Sequence, residues 1–107
     1  MHQHRPIHCW PDGERPRERL LELGAAQLSD AELLALLLVT GTRGRSAVDV
    51  ARELLRACGD LRGTLARSRV DLPAGLGIGA AKWATLQAAA EIGRRAQAMQ
   101  LRRGSAI

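Results

Sequence analysis

An all-α fold, a small bundle of about five to six helices, is what this sequence predicts, and three observations carry it. The chain has almost no aromatic material: Trp10 and Trp83 stand without any Phe or Tyr. Leu, Ala, Val and Ile must therefore fill the core, a composition that favours packed helices over a sheet. Helix-start signals recur, with Ser29 three residues before Glu32, Ser46 before Asp49 and Ser68 before Asp71. No stretch shows the period of two that a half-buried strand requires. The 107 residues make one domain.

Taken in order, residues 1–14 read as an irregular arm broken by Pro6, Pro11 and Gly13. His2, His4, His8 and Cys9 crowd this arm, but a loose terminus is a poor metal cage and no second half of a ligand set follows. The folded domain is expected over residues 15–103. Pro16 suits the first turn of a helix, with Leu20, Leu21 and Leu23 as its apolar side and Gly24 as its stop. Arg15, Arg17 and Arg19 alternate with Glu14, Glu18 and Glu22, which predicts a solvated, self-paired face. The box of Ser29 and Glu32 opens a helix over residues 30–39 that is apolar nearly all round, the mark of a buried central helix.

Residues 40–46, TGTRGRS, form a turn. Ser46 and Asp49 then open a helix over residues 47 to 57, with Val48, Ala51, Leu54 and Leu55 on its inner face. Cys58 is expected at its buried end and Gly59 as its stop. Asp60 caps a short turn over residues 61–66. The third box, Ser68 with Asp71, is compromised by Pro73 and Gly75, and a single turn of 3₁₀ type is the expectation. The last helix is expected from residue 80 to 102, with Trp83, Leu86, Ala90 and Gly93 as its buried stripe. Gly93 would permit close helix approach. Residues 104–107 read as the start of a linker or tail.

Sixteen basic side chains face eleven acidic ones, for a net charge of +5, and every basic residue but Lys82 is arginine. The guanidinium fork suits phosphate oxygens, and a basic domain of this size makes nucleic acid a partner to test. Two distant cysteines and no secretory signal point to a reducing cytoplasm. No apolar run is long enough for a bilayer. No acid–base pair, metal set or activated nucleophile stands out, so neither catalysis nor a cofactor is expected.

The candidate binding site is the stretch LPAGLGIGAAKWA. Gly77 and Gly79 flank Ile78, and Ala80, Ala81 and Lys82 follow at once. Glycines so close allow a tight turn with main-chain N–H groups pointing outward. Those groups sit at the positive end of a helix dipole, where a phosphate fits, and Lys82 adds a charge. Residues 36–55 and 72–93 share one plan: helix, glycine-bearing turn, helix. They predict a pseudo-twofold pair of hairpins with two anion sites, the second made by Thr42, Arg43, Gly44 and Arg45. Such sites grip the DNA backbone without reading bases.

The segment DGERPRERLLELGAAQLSDAELLALLLVTGTRGRSAVDVARELL resembles the N-terminal region of RadC-type proteins, a bacterial family named for DNA repair. AGLGIGAAKWATLQAAAEIGRR resembles the helix-hairpin-helix motif that closes that region. The resemblance implies an all-α helix-hairpin-helix domain binding duplex or branched DNA through loop N–H groups, with loop carbonyls able to hold a monovalent cation. The sequence departs from the motif at Trp83, where a small residue is usual, at Gly75, where an apolar one is, and at Pro73. RadC-type proteins continue into a JAB/MPN-type zinc hydrolase domain with an H-x-H…S-x-x-D signature. This chain carries no such signature, which implies a non-catalytic module, or a positioning domain for a JAB/MPN-type protein.

Overall fold

The computed structural model describes residues 15–41 and 44–105. The expected arm over residues 1–14, with its histidines, Cys9 and Trp10, lies outside the described residues. Five α-helices appear in order: α1 (Arg15–Leu23), α2 (Asp30–Leu38), α3 (Ala47–Cys58), α4 (Leu61–Ala66) and α5 (Ala80–Ser105). Two 3₁₀ turns, Ala25–Gln27 and Arg69–Asp71, link them. There is no strand among the described residues, so the all-α expectation holds.

Local chemistry sets the helix starts where the capping residues stand. Ser29 Oγ accepts from the Glu32 N–H at 3.1 Å, and Glu32 accepts from the Ser29 N–H at 2.9 Å. Ser46 and Asp49 repeat the box at 3.1 and 3.4 Å. Asp60 accepts from the Gly63 N–H at 2.7 Å and starts α4. Each cap satisfies an orphan donor and is worth about 1 kcal/mol. The third box fails as expected: Ser68 makes no capping bond and instead donates its hydroxyl to Asp71, and only the 3₁₀ turn forms.

The core lies between α2 and α3. Leu34, Leu38, Val50, Ala51 and Leu54 are almost completely buried there, joined by Ala31, Ala35, Ala47 and Cys58. Leu76 from the loop before α5 and Leu86 from α5 close this core from the other side. Val50 belongs to the inner face of α3, while Val48 and Leu55 only pack on its margin. The inner face is thus rotated from the expected one.

α1 departs further from expectation. Leu21 and Leu23 are 74% and 51% exposed, and Pro16 is the fully buried side chain instead. Arg19 leaves its own helix to meet α2: its Nε lies 2.6 Å from Glu32 Oε2, and its Nη2 donates to Gln27 O at 3.4 Å. That Nε–H points off the hydrogen-bond line, so the link to Glu32 is a charge contact. It turns part of a supposed self-paired face into an inter-helix tie.

Residues 40–46 reverse the chain in little space. Val39 sits at φ 69, ψ −56, and the Thr40 N–H donates to Leu38 O at 2.7 Å. This is a γ-turn of the rare, strained kind, here on a β-branched residue. Two residues on, a Cβ at Gly41 would lie 2.0 Å from Arg45 O. Gly41 is therefore a glycine because backbone passes against backbone there.

α5 is longer than expected, running through Gly104 to Ser105. Gly93 makes no close helix approach: a Cβ there would meet nothing within 4 Å. From Gln87 to Gly104 no α5 residue is buried. The exposed half carries a cluster in which Glu91 accepts from both Arg94 and Arg95. Those three hydrogen bonds, from Arg94 first and then Arg95, hold the Glu91 carboxyl down to about 2.

Gly41→Ala should lower stability by about 2 kcal/mol or more, read as a fall in the urea midpoint, whereas Gly93→Ala should be neutral or slightly stabilising. Glu32 gives a pH prediction. Burial acts to raise its carboxyl, but the Ser29 N–H bond and then the Arg19 charge outweigh it and hold the group below its ordinary 4.5. A depressed carboxylate contributes stability above 4.5 that is lost as pH falls through the lower folded value. Glu32→Gln should cost about 1 kcal/mol near neutrality. Thermal melts should show that gap to wild type closing as pH falls below 4.5.

Candidate nucleic-acid interface

The loop before α5 is built by two left-handed glycines, Gly75 at φ 84 and Gly77 at φ 72. Gly79 is not left-handed, and a Cβ on it would find open space. The tight turn therefore needs Gly75 and Gly77, not the Gly77 and Gly79 pair read from spacing. Gly75, a departure from the family motif, is one of the two residues that bend the chain.

What Gly79 provides is the absence of a side chain at the start of α5. Its carbonyl accepts from the Trp83 N–H at 3.0 Å, the first bond of the helix. The N–H groups of Ala80, Ala81 and Lys82 then have no intrahelical acceptor, and no acidic residue stands in the first turn. α2, α3 and α4 each have a Ser or Asp side chain seated on their first turn. An open helix N-terminus attracts anions through its N–H groups and dipole. Beside it runs an open groove of about 440 Å³ lined by Arg69, Leu72, Pro73, Ala74, Gly75, Gly77, Ile78 and Gly79.

Lys82 is not directed at open solvent. Its Nζ donates to Thr40 O at 2.9 Å, which joins the start of α5 to the first residue of the 40–46 turn. The two glycine-bearing turns, far apart in sequence, are thus neighbours. Gly44, at φ 80, and Arg45 are exposed in that turn; Thr42 and Arg43 lie outside the described residues. The turns are not equivalent, because the first turn of α3 is occupied by its own Ser46 and Asp49 side chains. A negatively charged Asp49 at that end works against a second phosphate.

Two residues that spacing did not mark as positioning groups secure α5. The Trp83 indole N–H donates to Arg67 O at 3.4 Å, and Gln87 Nε2 donates to Leu65 O at 3.0 Å. Both acceptors are carbonyls left over at the end of α4. Trp83, a misfit against the small-residue motif, is half-buried and tied by its indole to the end of α4. The only signal in the sequence was the coincidence of Trp83 with Pro73 and Gly75: one enlarges a side chain where the others shorten a helix.

Among the described residues no three His, Cys, Asp or Glu groups are placed to hold a metal. No helix there is long and apolar enough to cross a membrane.

Comparison with known proteins gives a consistent picture. A family model described as UPF0758 N-terminal matches residues 7–84. A UPF0758 protein of Pseudomonas syringae pathovar tomato is 57% identical over 101 residues, which is 94% of this chain and 45% of the relative. A UPF0758 protein of Chromohalobacter salexigens is 54% identical with the same coverage. One from Thioalkalivibrio sulfidiphilus is 54% identical over 95% of this chain and 46% of its own length. The chain thus spans about half the length of the curated relatives it matches. No solved structure matches it.

Trp83→Ala should destabilise the domain by about 3 kcal/mol, and Trp83→Phe, which keeps most of the packing and loses the long indole bond, by less than about 1 kcal/mol. Equal losses for the two variants in denaturant titrations would mean the hydrogen bond, not the packing, secures α5.

Proposed function

Because the chain belongs to the UPF0758 family, matching its N-terminal part, we propose that it is a non-catalytic, sequence-independent DNA-binding module. Backbone phosphates of duplex or branched DNA sit at the N-terminus of α5. The observation that supports this reading is the open first turn: three N–H groups without a capping side chain or a nearby carboxylate, on a chain of net charge +5. Gly77, Ile78 and Gly79 shape the approach, and Ala80, Ala81 and Lys82 donate. Lys82 exchanges its bond to Thr40 O for a phosphate oxygen as DNA arrives. Thr42, Arg43, Gly44 and Arg45, which follow Thr40 closely in sequence, supply a flanking contact. A DNA-repair role follows only from the kinship with RadC-type proteins.

Association should weaken steeply with salt, since each neutralised phosphate releases counterions with a slope of about −0.9 in log K against log salt. Fluorescence anisotropy with a labelled duplex measures this. No binding at about 50 mM salt, or affinity indifferent to salt, removes the reading. Gly79→Asp separates binding from folding. The new carboxylate caps α5 and should raise stability by about 0.5–1 kcal/mol, yet it occupies the phosphate position and should lower DNA affinity about tenfold or more. Lys82→Ala should reduce the salt slope by about one.

A further inference from the structure

The groove of about 440 Å³ beside α5 has a lining that divides by chemistry. Leu72, Pro73 and Ile78 give it apolar surface, each half-buried. Leu72 and Ile78 also pack against the core, so this surface is held in place before anything binds. Gly75 and Gly79 leave the main chain uncovered, and a Cβ on either would meet nothing within 4 Å. Arg69 is the one charged residue of the lining. It is exposed, and among the described residues its guanidinium meets no carboxylate. The acid nearest to it in sequence, Asp71, accepts from the Ser68 hydroxyl at 2.8 Å and does not line the groove.

A cation without a counter-ion beside a preformed apolar surface selects for a ligand that is both anionic and apolar. A phosphate alone has no use for Leu72, Pro73 and Ile78, and an apolar side chain has no use for Arg69. A nucleotide has both parts, and the groove falls in the size range of small-ligand clefts. Within a paired duplex the faces of a base are covered by its neighbours in the stack. An unpaired base leaves the stack at little cost and can lay a face on protein. The groove also runs along Gly77, Ile78 and Gly79, the residues that lead directly into α5.

We propose that this groove holds an unpaired nucleotide, its base against Leu72, Pro73 and Ile78 and its charge met by Arg69. The domain then favours DNA with an unpaired stretch over fully paired duplex. This inference rests on the DNA-binding reading above and narrows its substrate.

Fluorescence anisotropy with two duplexes of equal length tests it, one fully paired and one with a central bubble of unpaired bases. Equal phosphate numbers keep the counterion contribution the same for both. The wild-type chain should bind the bubble about fivefold more tightly, or better. Ala74→Gln places a longer, neutral side chain in the groove from an exposed position. Arg69→Gln removes the charge instead. Each should bring the ratio of affinities below about two, by weakening the bubble complex rather than by strengthening the paired one. Thermal melts matching wild type confirm that the fold is kept. Equal affinity of the wild-type chain for the two duplexes overturns this inference and leaves the DNA-binding reading standing. Binding to neither at about 50 mM salt overturns both. A preference that survives both variants comes from the flexibility of the bubble, and it too overturns the inference.

Discussion

The rest of the molecule depends on how closely α2 and α3 can be brought together by the turn that joins them. Their seam buries Leu34, Leu38, Val50, Ala51 and Leu54. To return the chain quickly enough, the turn passes its own backbone at Gly41 with no room for a Cβ. It also forces Val39 to a positive φ that a valine resists. A conformation of that kind costs about 1–3 kcal/mol and persists only where the surroundings over-determine it. The apolar seam on one side and the Ser46–Asp49 box on the other supply that determination. Gly41 and Val39 are better understood as consequences of the seam than as features of a flexible loop.

The same turn explains why α5 docks where it does. A helix end leaves carbonyls without partners, and α5 supplies donors to several of them. Lys82 reaches Thr40 O beyond the end of α2, while Gln87 and Trp83 reach Leu65 O and Arg67 O at the end of α4. Leu86 places the one fully buried side chain of the helix at the centre of these polar ties. Apolar burial supplies the attraction and the three donors set rotation and depth. With Gly79 unable to cap, the helix enters the domain with its positive end open, and the functional proposal grows from that property.

Much of the fold was legible because its determinants are local. Ser29, Ser46 and Asp60 start helices through side chains that reach only three residues ahead, so spacing alone reveals them. The failed third box was legible for the same reason, since Pro73 and Gly75 spoil a helix from within. Errors gathered where a side chain's partner is remote. Nothing near Arg19 in sequence says that it will choose Glu32 over a glutamate of its own helix. Leu21 and Leu23 look like core residues until the single contact face of α1 is seen to be taken by Pro16. The candidate site divides in the same way: the open helix start at Gly79 could be read from the string of residues, but the Lys82–Thr40 contact that joins the two turns could not.

By itself the sequence determined an all-α chain, the places where its helices begin, a family kinship and a basic, arginine-rich surface. All of these follow from composition and from interactions within one turn of helix. Tertiary structure decided which face of α3 is buried, which glycines bend the α5 loop, where Lys82 is spent, and that α5 outruns the domain it completes. Those outcomes depend on the relative placement of segments remote in sequence, 42 residues apart for Lys82 and Thr40. No local propensity encodes them, because each is the joint solution of packing one apolar seam and satisfying the backbone groups left at its ends.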